Sequence, residues 1–427
     1  MMYDKNDNKM ASQLFLFDES SEIRVKLQFY YKEREIRRAF VLDANIKYDD
    51  GHLILYAEYD CQKNSVDDVS LFIKEYKKNN YKIIDAFING KKINLKLNGK
   101  IQFTHFYSDY SKKICSMYLN HFYYTYSGPF QSSCYRLSCV ASQLLIPYLT
   151  GLTFRGSIAV GTQPTESSGK CFNMPFSMFR DERHVYIQTE NSISDLLSAL
   201  TFFFCNPLEY DMVYSRLQEE NRVDVYTPEF MIMGGKRNEV LTYLFSNNEC
   251  LDNLFNFLNI TNSSIYSDNL PDIIKTYIIN LARAENLDNI SKLLLYHTII
   301  EKMAGVDKVN DTYNIIHKYL IGKHINIDKI NDGIANKCIK NEKGEIIDNF
   351  VQLRNFFIHH LGSVIASDFL RDSEMLFYMK MAITILLLKQ MGIEDVKFDK
   401  QFHKLSIFDE SIEECDAISA LFKLYRA

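Results

Sequence analysis

The chain has 427 residues, 47% of them hydrophobic, and a formal net charge of -5 at neutral pH. Single cores stop growing at roughly 250 to 300 residues, so this length predicts two or three domains. The acidic balance excludes a global electrostatic pull on nucleic acid, and an RNA substrate would require a local basic surface.

Nine cysteines are scattered from Cys61 to Cys415 with no CxxC pair and no Cys/His cluster at zinc spacing, which predicts reduced thiols and neither metal nor cofactor. The opening residues, MMYDKNDNKM, lack the apolar centre of a signal peptide. The longest apolar run, Met381 to Leu388, falls far short of the ~20 residues of a membrane span. A cytoplasmic protein with no membrane partner is the expectation. The 30 Phe and 28 Tyr ordinarily serve a core, and in a nucleic-acid binder they also serve as stacking platforms.

In chain order, residues 1–20 read as a flexible N-terminus and residues 21–130 as a β-rich module. There VKLQFYY, HLILYAEY, KINLKL, KIQFTHFY and HFYYTY are β-branched or aromatic runs separated by turn signals, with Asn89-Gly90 and Asn98-Gly99 as hairpin turns. Lys32, Arg34, Arg37 and Arg38 form a basic strand-like segment, either a solvated charged face or a substrate-binding patch. Residues 131–265 are mixed, with helices in RLSCVASQLLIPYL and SISDLLSALTFFF and a strand in SIAVG. Within them LTFRGSIAVG looks superficially like a strand-turn segment of class III nucleotide cyclases, and Ser108-Asp109 upstream resembles one of their metal-binding acidic positions, but no convincing partner carboxylate precedes it. Residues 266–427 read as helical, opening with Pro271 in a first turn and continuing with helices at about 289–303, 311–321, 327–338, 345–361 and 373–391. Gly305, Gly322, Gly344 and Gly362 are the expected terminators. The fold class is therefore α+β and multidomain.

The segment EIIDNFVQLRNFFIHHLG concentrates the chemistry. At helical spacing Ile346, Ile347, Phe350, Val351, Leu353, Phe357, Ile358 and Leu361 make an apolar stripe, and Arg354 falls in its middle. A guanidinium cannot shed its charge, so such a position calls for a carboxylate or a bound anion such as phosphate. Asn355 and His359 lie one turn apart beside it. A cation, an amide and a titratable imidazole suit metal-independent RNA cleavage: the imidazole exchanges protons with the attacking 2'-hydroxyl or the leaving oxygen, and the cation steadies charge on phosphate. The spacing of Arg and His alone arises easily by chance. An adjoining Asn and the helical apolar setting are what select this segment.

R-N-F-F-I-H resembles the Arg-Asn-x3-His signature of the HEPN superfamily of helical ribonucleases. LLLYHTIIEKMAG, then FVQLRNFFIHHLG and a long apolar helix, is similar to the Apea-like HEPN family over about residues 266 to 395. The resemblance implies a helical bundle at the C-terminus that forms a homodimer, and endonuclease cleavage leaving a 2',3'-cyclic phosphate. It also implies a role in phage defence by abortive infection or as a toxin. By motif position Arg354, Asn355 and His359 take the catalytic assignments, and His360 lies outside the motif as an auxiliary candidate.

Glu301 is a further auxiliary candidate, one turn from His297 on a nearly all-apolar helix and a partner for Arg354, or else a purely structural charge. Glu345 is a third possible partner, already explained by a place in a first helical turn. An N-terminal region that senses a phage-derived or nucleotide trigger completes this reading. The competing one makes the helical domain a catalytically silent dimerisation or nucleotide-binding module and the β region a partner-recognition domain.

Overall fold

A computed structural model describes residues 15–18, 20–33, 36–49, 52–60, 81–98, 102–108, 112–126, 133–149, 176–180, 183–189, 192–217, 220–228, 240–241, 257–258, 270–306, 311–323, 325, 328–335, 339–341, 343–359 and 374–391. The architecture is mixed α+β. The described residues fall into two compact units, one within 1–165, 175–190 and 209–231, the other within 166–174, 191–208 and 232–427.

The first unit is built on a continuous antiparallel sheet. Its strands are β1 (Ile23–Glu33), β2 (Ile36–Asp49), β3 (His52–Asp60), β4 (Tyr81–Ile88), β5 (Lys91–Asn98), β6 (Gln102–Ser108), β7 (Lys112–Leu119), β8 (His121–Tyr126), β9 (Ser133–Leu137), β10 (Phe176–Arg180), β11 (Val185–Thr189), β12 (Tyr210–Leu217) and β13 (Glu220–Tyr226). They lie in the order β10-β11-β9-β12-β13-β8-β5-β4-β1-β2-β3-β7-β6. Of the eight strands from β1 to β8, five (β1, β3, β5, β6 and β8) match runs legible in the sequence; β2, β4 and β7 emerge only in the structure.

Period-two alternation explains why the sheet buries one face. Ile23, Val25 and Leu27 of β1, Ile93 and Leu95 of β5, Phe122 and Tyr124 of β8, and Val223 and Val225 of β13 enter a single core cluster, and the residues between them face away. Asn89 and Gly90 form the β4–β5 turn with φ of 49° and 78°, the positive pair that a two-residue hairpin demands. Asn98 ends β5, and Gly99 lies outside the described residues.

After β9 the chain forms α1 (Cys139–Leu149), later than the expected start at Arg136 because Arg136 and Leu137 are still paired in the sheet. Ser138 accepts from the Ala141 N–H at 3.3 Å, which gives the helix its cap. Arg136 is 1% exposed and is gripped by Asp211 through two hydrogen bonds of 2.8 and 2.7 Å. The expected SIAVG strand and Asp109 lie outside the described residues.

In the second unit the described regular elements are helices, with one isolated bridge between Lys340 and Ile346. They are α2 (Ser194–Phe204), α3 (Asp272–Ala284), α4 (Asn289–Met303), α5 (Thr312–Gly322), α6 (Asp328–Ala335), α7 (Phe350–His359) and α8 (Glu374–Gln390). Pro271 is the N-cap of α3 rather than part of its first turn. Asp288 caps α4 by accepting from the Ile290 and Ser291 N–H groups at 3.0 and 3.1 Å, and Gly305 follows its end at φ 68°.

Helix α8 is buried on nearly all sides, with Met381, Ala382, Ile383, Ile385, Leu386, Leu387 and Leu388 in the core. Its Lys380 meets Glu285 at 3.0 Å, and Tyr296 donates to the same carboxylate at 2.7 Å. Burial works against that carboxylate's charge, yet Lys380 and Tyr296 hold its pKa below the ordinary value. No helix among the described residues is long and apolar enough to cross a membrane.

Candidate functional site

Helix α7 begins later than its apolar pattern suggests. A tight turn intervenes: the Asn341 N–H bonds to the Glu345 carbonyl at 2.9 Å, the Ile347 N–H bonds to the Ile339 carbonyl at 2.8 Å, and Gly344 takes φ 79°. Glu345, expected in a first helical turn, belongs to this hairpin and accepts from the Asn341 amide at 2.8 Å. Asn349 then starts the helix by accepting from the Gln352 N–H at 3.0 Å.

Three neighbouring helices seat the start of α7. The Phe350 N–H donates to Asn331 of α6 at 3.4 Å, and the Asn331 amide donates to the Tyr313 hydroxyl of α5 at 3.0 Å. The Phe350 ring lies 5.3 Å from the His297 ring of α4. Phe350, Leu353 and Phe357 are buried and fix which way the helix faces.

That seating corrects the expected position of Arg354. Ile346 and Ile358 are 49% and 39% exposed, so the stripe is narrower than its sequence suggests and centres on Phe350, Leu353 and Phe357. Arg354 is half-buried on the flank of that stripe, and Asn355 and His359 are exposed on the side away from the core. The Arg354 guanidinium donates to the Asn355 side-chain oxygen Oδ1 at 2.9 Å. Among the described residues no carboxylate lies within ion-pair distance of Arg354.

Glu301, offered as its partner, instead faces His297 on its own helix at 3.5 Å. His297 is the residue to which sequence reasoning gave no role. It is 1% exposed, and neither ring nitrogen has a hydrogen bond. Burial pushes its pKa down from 6.5 to about 4, and the positive charge of Arg354 adds to the effect, so the imidazole is neutral at physiological pH. Its signal in the sequence is the one-turn spacing to Glu301 on an otherwise apolar helix.

The site thus has Arg354, Asn355 and His359 on one helix and a buried neutral imidazole, His297, close enough to feel the arginine's charge. Because Asn355 accepts through its oxygen, its NH2 group remains to donate outward. The arrangement offers an anion a guanidinium, an amide donor and an exposed imidazole along one helix. His360 and Arg34 lie outside the described residues. Lys32 lies in β1, and Arg37 and Arg38 in β2, with Lys32 opposite Arg37 and Tyr31 opposite Arg38. Among the described residues no three His, Cys, Asp or Glu side chains converge as metal ligands.

No family model, curated protein or solved structure matches this chain.

Proposed function

We propose that the chain is a metal-independent endoribonuclease of the HEPN type that acts in phage defence by abortive infection or as a toxin. The observation that carries the proposal is an arginine with no described carboxylate partner, bonded to an exposed amide, with an exposed imidazole one turn beyond that amide on the same helix. The His359 imidazole removes the proton of a ribose 2'-hydroxyl or protonates the leaving 5'-oxygen. The 2'-oxygen–phosphorus bond forms as the phosphorus–5'-oxygen bond breaks, giving a 2',3'-cyclic phosphate and a 5'-hydroxyl. Arg354 binds the phosphate, and the Asn355 amide orients phosphate or ribose.

A single imidazole supplies one of the two proton transfers, so a second copy of α7 across a homodimer cleft provides the other. Exposure of Ile358 next to Arg354 suits a face that a second copy covers. The sheet-bearing unit senses the trigger, a phage component or a nucleotide, and restrains the helical unit until then.

The test is expression in bacteria, with and without phage challenge, of the wild type and His359→Ala. The wild type is expected to degrade RNA to products ending in 2',3'-cyclic phosphate and to do so in the presence of chelator, and His359→Ala is expected to leave RNA intact. Intact RNA and equal growth for both proteins under challenge would falsify the assignment.

A further inference from the structure

The face of the sheet turned away from the core cluster is chemically uneven, and the unevenness has a pattern. On the adjoining strands β1, β4, β5, β8 and β13 the residues between the buried positions include Arg24 and Lys26, Lys82, Lys92 and Lys96, and Arg222. Arg24, Lys26, Lys82, Lys92 and Lys96 are exposed, and Arg222 is half-buried. This concentration of positive charge lies on a chain whose net charge is -5. Asp85 and Asp224 on these strands are engaged, Asp85 by Lys92 at 2.6 Å, and Asp224 by Arg222 at 2.6 and 2.8 Å and by His121 at 2.9 Å; on the next strand, β2, the exposed Asp43 stands opposite Lys26.

Aromatic rings stand among these cations in register. Phe87 of β4 is 36% exposed and sits directly opposite Arg24 on one side and Lys92 on the other. Tyr123 of β8 has the Arg222 guanidinium 3.9 Å from its ring centroid and the Lys96 ammonium at 5.8 Å. One position along, the His121 ring stacks on Tyr226 at 4.5 Å. Adjacent strands lie about 4.8 Å apart and alternate residues on a strand about 7 Å apart, so Phe87 and Tyr123, two strands apart and offset along β5 from Lys92 to Lys96, stand roughly 17 Å from each other and meet bases that are not neighbours in the strand.

A protein partner would be met by any charge-complementary surface, whereas flat rings interleaved with cations match a polyanion that also carries flat rings. We propose that this sheet face binds a single strand of RNA, with Phe87 and Tyr123 stacking bases and Arg24, Lys26, Lys92, Lys96 and Arg222 holding phosphates. The assignment to RNA rather than DNA rests on the reading of α7 as an RNA-cleaving site; the single-strand chemistry does not.

The experiment uses the full chain carrying His359→Ala, which removes cleavage from the measurement. Binding of a labelled oligouridine of about 16 nucleotides is followed by fluorescence anisotropy across a salt series, beside a duplex RNA and an oligodeoxythymidine of equal length. The single RNA strand is expected to bind best, with a log Kd that rises steeply with log salt. Replacing Lys26, Lys92 and Lys96 together by Gln is expected to reduce that slope by about 2, at roughly 0.7 per lost phosphate contact. Phe87→Ser, at an exposed position that leaves the core untouched, is expected to weaken binding about tenfold.

No binding at low salt, an unchanged slope in the triple variant, or equal affinity for the duplex would overturn the surface. Equal or tighter binding of the DNA strand would overturn the RNA assignment. RNA cleavage by the wild type without oligouridine binding would sink this proposal and leave the α7 reading standing, and binding without cleavage would do the reverse.

Discussion

Two arginines, one in each unit, are held in opposite ways. Arg136 of the sheet is fully buried and doubly bonded to Asp211, so each group's lost hydration is offset by the other. Arg354 of the helical unit is half-buried and bonded to an amide oxygen, which leaves its net charge uncompensated by any described carboxylate. The two histidines repeat the contrast. His121 lies against Asp224 at 2.9 Å, and the buried His297 has no hydrogen bond at all. The Arg136–Asp211 pair holds structure together; Arg354 has interactions left to make.

The comparison breaks first at Asp211. Asp211→Ala strands the Arg136 charge in the core and is expected to cost about 3–5 kcal/mol, read as a lower urea midpoint. A loss comparable to that of an ordinary surface substitution would show that the pair is not closed.

His297 sharpens it through pH. The unfolded chain protonates this imidazole at its ordinary value of 6.5, and the fold resists until about 4, because of burial first and Arg354 second. The unfolded state therefore binds more protons in this window, and stability falls as pH drops from about 6.5 to about 4, by as much as roughly 3 kcal/mol. Urea unfolding of His297→Leu at several pH values should lack that component. An identical pH dependence in both proteins would remove His297 as its source.

Arg354→Ala provides the opposite signature to Asp211→Ala. Unfolding should shift by less than about 1 kcal/mol, and RNA cleavage should fall by a factor of roughly 100 or more. Strong destabilisation would instead make Arg354 a structural residue. The smallest effect belongs to the cap of α4: Asp288→Ala is expected to cost about 1 kcal/mol, with cleavage retained.

Local chemistry was legible where one signal dominated. Helix α4 runs from Asn289 to Met303 as its sequence indicates, because Asp288 caps one end and Gly305 ends the other. The β4–β5 hairpin was legible for the same reason, in Asn89 and Gly90. Helix α7 was less so. Ile346 and Ile347 fit the helical period, yet around the Asn341–Glu345 turn Ile346 pairs with Lys340 and the Ile347 N–H bonds to the Ile339 carbonyl, a competition that periodicity does not register. That Arg354 has no carboxylate within ion-pair distance among the described residues, and that neither His297 ring nitrogen has a hydrogen bond, depends on which helices surround them. The outward sheet face had a clear alternation in β1 and β5, but strand order was needed to bring Arg24, Phe87 and Lys92 into one row.

The way α7 is seated also fixes an angular phase. Phe350, Leu353 and Phe357 act as index marks that set the helix at one rotation, and Asn355 and His359 take their outward bearing from those marks. One alanine inserted after Leu353 would turn everything beyond it by about 100°, forcing either Phe357 or His359 off its bearing. The aim of the reactive groups is thus stored in hydrophobic residues that need touch no substrate.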